Sequence, residues 1–319
     1  MQKGYEMQNS MIVDLQNKRS AFIAIVGRPN VGKSSLLNAM IGQKVAIVSS
    51  KPQTTRTRIM GVLTEGADQL VFIDKPGLHK PRSRLGEYMV RSVRESIAGV
   101  DACLLVVEAG KKTSPADLEL IAKFKETQMP AVLAVNKIDL LPDKSLLMEQ
   151  LAELSKLYEF AAIVPVSAVD GNGVRSDLLP ELLKQCMPGG HFFESDTLTD
   201  QPERVLAGEI IREKLLRLLD KEIPHGTAVA VERMREREDG SGILDISAVI
   251  FCEKQNHKAI IIGKGGSMLK KIGSYAREDM ERFFGVKINL QIWVKVKEDW
   301  KNRDAVLHSL GYDQTGFDA

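Results

Sequence analysis

Before residue 190 short unbroken apolar runs alternate with helix-spaced segments, and after residue 203 apolar positions recur first at helical spacing. The runs at 21–26, 70–73, 102–107, 131–135 and 163–166 read as strands buried on both faces. A polar, turn-like stretch at 51–58 leads into another short strand at 59–64. Helical spacing appears at 35–41, 85–97, 114–126 and 178–187. Strands alternating with helices predict an α/β fold with a mainly parallel, helix-covered sheet.

Pro188, Gly189 and Gly190 end the last of those helices, and the polar residues 191–202 read as a connector. Beyond it, Val205, Ile210, Ile211, Leu215, Leu218 and Leu219 mark a helix at 203–219. Strands at 228–233 and 244–252 flank a turn at 239–242 and predict a hairpin. Helical residues then run up to Gly263, resume at Ser267 to Ile272, and form a further helix at 275–284 before a strand at 287–296. We expect a leader at 1–20, an α/β domain at 21–190, a linker at 191–203, a smaller α+β domain at 204–303 and a tail at 304–319.

Composition narrows the partners. At 319 residues and 44% hydrophobic content, two ordinary globular domains with ample core are expected. The net charge of +2 hides an imbalance: residues 204–303 hold 20 Lys and Arg against 15 Asp and Glu, so the second domain is the better candidate for a polyanion. Cys103, Cys186 and Cys252 stand far apart, which argues against a disulfide framework or a thiolate metal site and fits a reducing compartment. No apolar signal core lies in the first 20 residues, where Met7 and Met11 are alternative starts. No run approaches the roughly 20 apolar residues a bilayer span needs, so a cytoplasmic protein is expected.

The chemistry is concentrated at strand ends. Gly27-Arg28-Pro29-Asn30-Val31-Gly32-Lys33-Ser34, followed by Ser35, is Gly-x-x-x-x-Gly-Lys-Ser between a strand and a helix. Loop N–H groups and the helix N-terminus would cradle phosphates, Lys33 would neutralise them and Ser34 would hold Mg²⁺. Thr55, with Thr54 beside it, is placed to reach Mg²⁺ from a loop. Asp74 ends an apolar strand where a Walker B carboxylate sits, and Gly77 can offer its N–H to a γ-phosphate. Asn136-Lys137-Ile138-Asp139 predicts guanine selection: a carboxylate accepts two N–H bonds from guanine, and adenine offers no such match. The Lys137 stem would lie over the base, and the Ala168 N–H, next to Ser167, would meet the guanine carbonyl.

The phosphate loop, Pro52-Gln53-Thr54-Thr55-Arg56, the run Pro76-Gly77-Leu78-His79-Lys80-Pro81 and the 136–139 motif resemble those of the Era family of bacterial GTPases. The likeness spans about 22–312. It implies an Era-type P-loop G domain at 21–190, with GTP or GDP, Mg²⁺ and K⁺ as cofactors. Leu78 stands where many small GTPases carry a water-positioning Gln; an apolar residue there is normal for this group. Asn30 resembles the loop Asn that helps bind K⁺ beside the phosphates, so slow, potassium-stimulated turnover is expected. Lys75 departs from the family's Asp-Thr-Pro-Gly and puts the hydrolysis rate in question. His79 reads as a solvated loop residue rather than a base.

In the second domain, Gly263-Lys264-Gly265-Gly266 joins two helices and resembles the Gly-x-x-Gly loop of a KH domain, which clamps single-stranded nucleotides. Lys264, Lys270 and Lys271 add charge there, and Ile250, Ile260 and Ile261 are candidates for an apolar base groove. The helix–strand–strand–helix–helix–strand order is the type II KH arrangement. The family resemblance implies the 3′ end of small-subunit (16S) ribosomal RNA as ligand, a role in 30S subunit biogenesis, and a monomer. Two readings follow: a GTP-hydrolysing timer, or a GTP-binding RNA assembly factor with little turnover. A peripheral association with the inner membrane through the helix at 203–219 ranks last, because the KH core needs that helix.

Overall fold

The computed structural model describes residues 17–51, 54–56, 58–74, 99–143 and 145–310. They fall into two compact units, one within 17–46, 58–74 and 99–200, the other within 47–56 and 201–310.

In the first unit, strand β1 (Arg19–Val26) leads to helix α1 (Lys33–Ile41), then β2 (Ile59–Glu65) and β3 (Asp68–Asp74). Next come β4 (Ala102–Glu108), α2 (Pro115–Thr127), β5 (Ala131–Asn136), α3 (Ser145–Leu154) and β6 (Ala162–Val166). The sheet order is β2-β3-β1-β4-β5-β6. β1 pairs in parallel with β3 and β4, as do β4 with β5 and β5 with β6, while β2 runs antiparallel to β3. Alternate residues of the apolar strands feed two different cores. Ile23, Ile25, Leu104 and Val106 pack with Leu36, Leu37 and Met40 of α1, whereas Ala24, Cys103, Leu105 and Val107 pack with Leu120, Ile121 and Phe124 of α2. That two-sided burial is why these strands read as solid apolar runs.

The end of this unit departs from expectation. Instead of one helix at 178–187, a π turn at Val174–Leu178 leads into α4 (Leu179–Leu183), and Met187–Pro188 forms β7, antiparallel to Ser20 and Arg19. The polar connector is also fixed in place. Buried Gln69 accepts from the N–H groups of Phe192 and Phe193 and donates to Phe193 O. Further along, Thr199 bridges Gly61, Val62 N–H donates to Leu198 O, and Thr199 Oγ1 donates to Met60 O. The helix expected at 85–97 lies outside the described residues.

The second unit contains α5 (Glu203–Leu218), β8 (Thr227–Glu236), β9 (Ile243–Cys252), α6 (Gln255–Ile262), α7 (Ser267–Phe284), β10 (Lys287–Val296) and α8 (Asp304–Ser309). Its sheet order is β10-β9-β8, with β9–β10 parallel and β8–β9 antiparallel. The helices expected at 267–272 and 275–284 are one. Gly273 does not break it; a Cβ there would make an ordinary contact with Ile292 Cδ1 at 3.7 Å. The expected tail instead carries α8, whose Leu307 joins Trp300 and Ala228 in a small core. α5 is buried from Leu206 to Leu216 except at half-buried Glu209, with Arg212, Glu213 and Lys214 included. Glu213 accepts from Val48 N–H, Lys214 pairs with Glu213 and Asp279, and Arg212 donates to Thr54 O. Among the described residues, no helix is long and apolar enough to cross a membrane.

Candidate nucleotide and RNA sites

The loop between β1 and α1 is shaped by backbone that only glycine supplies easily. Gly27 has φ 142°, and a Cβ there would sit 2.3 Å from Val106 O. Gly32 has φ 100°, and its Cβ would fall 2.2 Å from Asn136 Nδ2. Asn30 also adopts positive φ, 64°, at the loop tip beside Pro29. Gly32 caps α1 with no side-chain hydrogen bond, leaving the N–H groups of the first turn to an anion. Lys33 is buried, and its Nζ donates to Gly27 O at 3.0 Å and Arg28 O at 2.8 Å. Burial lowers its pKa, against the opposing pull of Asp74 and Asp117.

Ser34 Oγ donates to Asp74 Oδ2 at 2.6 Å. The parallel register sets Asp74 opposite Ile25, two residues before the loop. A hydroxyl and a buried carboxylate in contact form an oxygen donor set that suits a hard divalent cation. Thr55 is buried in the second unit, next to Arg56. Gly77, Lys75, Leu78 and His79 lie outside the described residues.

At the ends of β5 and β6 hydrogen bonds tie the guanine-motif residues to the neighbouring loops. Asn136 is buried with both amide atoms used: Nδ2 donates to Val31 O at 2.8 Å, and Oδ1 accepts from Ala168 N–H at 3.0 Å. It staples the phosphate loop to the 167–168 loop, with the Ala168 N–H expected to meet guanine donating to its Oδ1. Asp139 is exposed, with Oδ1 accepting from Ser167 Oγ at 2.7 Å. Lys137 Nζ pairs with Glu108 at 2.8 Å, and a φ of 70° at Lys137 turns the chain there.

In the second unit Gly263 turns the chain out of α6, where a Cβ would meet Met268 Cβ at 2.7 Å, while Gly265 and Gly266 face open space. Lys264 and Lys270 are exposed, and Lys271 Nζ lies over the Tyr275 ring at 5.8 Å. The expected apolar wall is wrong at two positions. Ile250 and Ile261 are fully buried in the core, and only Ile260 is exposed, at 48%. Ile250 shares its strand face with Ile246, Ala248 and Cys252, all core residues. The groove beside Gly266 has a volume of about 350 Å³ and lies between α7 and β10.

Two family models match the chain, one described as 50S ribosome-binding GTPase over residues 22–137, the other as KH domain over 222–301. The GTPase Era of Ruminiclostridium cellulolyticum is 50% identical over 294 residues, which is 92% of this chain and 97% of that protein. The chain belongs to the Era family of GTPases. The Era of Clostridioides difficile is 47% identical over 92% of this chain and 99% of its own length. A crystal structure of an Aquifex aeolicus Era variant bound to GDP and AlF4⁻ covers 92% of this chain and 99% of its own at 36% identity, with a TM-score of 0.86. A crystal structure of Era with MgGDPNP and nucleotides 1506–1542 of 16S ribosomal RNA gives the same identity, coverage and TM-score. This Era-family chain is accordingly a GTP-binding and GTP-hydrolysing protein with a P-loop G domain and a KH domain.

Sequence reasoning missed most of the groove of this Era-family protein. Lys270, Arg277, Asn289, Leu290 and Ile292 line it, with Gly266 at one end. The helical part was legible in principle: 266, 270, 273 and 277 recur at intervals of three and four, which puts two glycines and two cations on one helix face. The strand part was hidden, because the pattern of β10 does not say which edge faces a helix.

Proposed function

We propose that this Era-family GTPase reads the 3′ end of 16S ribosomal RNA with its KH unit and serves 30S subunit biogenesis in the cytoplasm, under the control of GTP. The observation that carries the reading is the Gly263–Gly266 loop opening beside a groove lined by Lys270 and Arg277. Glycines without near neighbours let a phosphate backbone approach, and the cations reward it. The solved Era structure with nucleotides 1506–1542 of 16S ribosomal RNA supports the choice of ligand. In this reading residues 21–190 act as the G domain and 204–303 as the KH domain.

Within the first domain, residues 27–35 would wrap the phosphates, with Lys33 drawn from the carbonyls of Gly27 and Arg28 onto them. Ser34 and Asp74 would hold Mg²⁺, joined by Thr55, and Gly77 would donate to the γ-phosphate. Asn30 would supply a ligand for K⁺. Bound cations there offset the charge that develops on the phosphoryl oxygens. The exposed Asp139 would take the guanine N–H groups, with Lys137 beside the ring.

GTP turnover measured in K⁺ and then Na⁺ buffer, with and without an oligoribonucleotide of the 16S 3′ end, tests the switch. Turnover that needs K⁺ and rises with RNA supports it. GTP bound without turnover in any buffer would favour a ligand-gated assembly factor. Replacing Lys264 and Gly265 with Asp should abolish RNA binding and leave GTP affinity unchanged; retained RNA affinity would defeat the KH assignment.

A further inference from the structure

Arg28 is the only cation in the phosphate loop before Lys33, and the nucleotide reading gives its side chain no task. Its Nε lies 3.1 Å from Asp117 Oδ2, an ion-pair contact outside hydrogen-bond geometry to a carboxylate that is 1% exposed in the first turn of α2. The same oxygen accepts from Ser114 N–H at 3.0 Å and from Ser114 Oγ at 2.8 Å, and Asp117 N–H donates back to Ser114 Oγ at 3.2 Å. Capping α2 explains an acceptor at this position but not a charge, since a neutral amide would serve. A buried carboxylate needs a cation as well as hydrogen bonds. Two are at hand: Arg28 in contact, and Lys33, whose protonation Asp117 favours through space. The carbonyl of Arg28 in turn accepts from Lys33 Nζ.

We propose that Asp117 is a positioning residue for GTP binding: it holds Arg28, and through Arg28 the main chain of the phosphate loop. The inference rests on the reading of 27–34 as the phosphate-binding loop. Because α2 begins outside the loop, the clamp ties the loop's outer side to a helix end fixed by its own capping box. Asn136 ties the opposite end, at Val31, through a hydrogen bond to the carbonyl. Holding the loop in register favours every bound nucleotide alike, so the clamp acts on affinity and not on the chemical step.

Steady-state GTP hydrolysis and GDP titration by calorimetry test this on the full chain. Asp117→Asn keeps the side-chain shape and an oxygen for Ser114, and removes the charge. It should raise KM for GTP and Kd for GDP by about fivefold each, with kcat within about twofold. Arg28→Gln should do the same, and the double variant should do no more. Ser114→Ala should lower the melting temperature and leave KM unchanged, separating capping from clamping. Unchanged KM and Kd in Asp117→Asn, or effects of the two variants that multiply, would overturn the proposal. Lys33→Met is the control for the reading beneath it: GDP affinity equal to wild type there would remove the phosphate loop itself, whatever Asp117→Asn does.

Discussion

Lys33 lies where little water reaches it, its Nζ donating to two carbonyl oxygens. Its folded pKa is lowered by burial, below the 10.5 of a free lysine. Between that lowered value and 10.5 the unfolded chain holds more proton than the folded one, so this group makes stability rise with pH through the window. In protein stripped of nucleotide, wild type should therefore gain stability on Lys33→Met as the pH climbs from neutral toward 10.5. Denaturant titrations across that range measure it, and parallel curves for the two proteins would remove Lys33 as the source. A bound phosphate would work in the opposite direction, favouring the charged amine.

At the scale of elements, legibility tracked what each pattern encodes. The first unit's strands were plain because both faces are buried, and α2 because Ser114 and Asp117 mark its start. α3 gave no comparable signal, since of its residues only Leu154 is buried. Gly273 and Ser274 looked like a helix break, but α7 runs unbroken through both. The expected groove failed for a related reason: three consecutive isoleucines at 260–262 cannot all face the same side of a helix, and nothing local says which one turns out. Ile250→Ala should cost about 2–5 kcal/mol of stability through the cavity it leaves. Ile260→Ala should stay within about 0.5 kcal/mol, as exposed positions do. Chemical denaturation separates the two, and equal losses would mean that the assigned faces are wrong.

At the scale of the whole molecule, residues 47–56 belong to the second compact unit although they lie between α1 and β2 in sequence. Arg56 is buried there, donating to Thr227 O at 2.7 Å and His225 O at 3.0 Å, with its guanidinium 5.8 Å from the Trp300 ring centre. Arg212 holds Thr54 O and Glu213 holds Val48 N–H. Thr55, the proposed Mg²⁺ ligand, thus sits between two anchored neighbours. If Thr55 serves Mg²⁺ with GTP, the surroundings of Trp300 should respond to the nucleotide. The chain has two tryptophans, so Trp293→Phe leaves Trp300 as the sole reporter. Its emission should differ between GDP and a non-hydrolysable GTP analogue; identical spectra would leave Thr55 where it is in both states.

The pairing of the connector with β2 also bears on solubility. β2 is an edge strand, and an uncovered edge is a template for another chain. Leu198 and Thr199 occupy that edge at Val62, Gly61 and Met60. A first unit cut at residue 190, where the sequence suggests a natural end, would shed this cover and offer a bare strand to its neighbours in solution. Cut after residue 200, the same unit keeps its own guard against self-assembly.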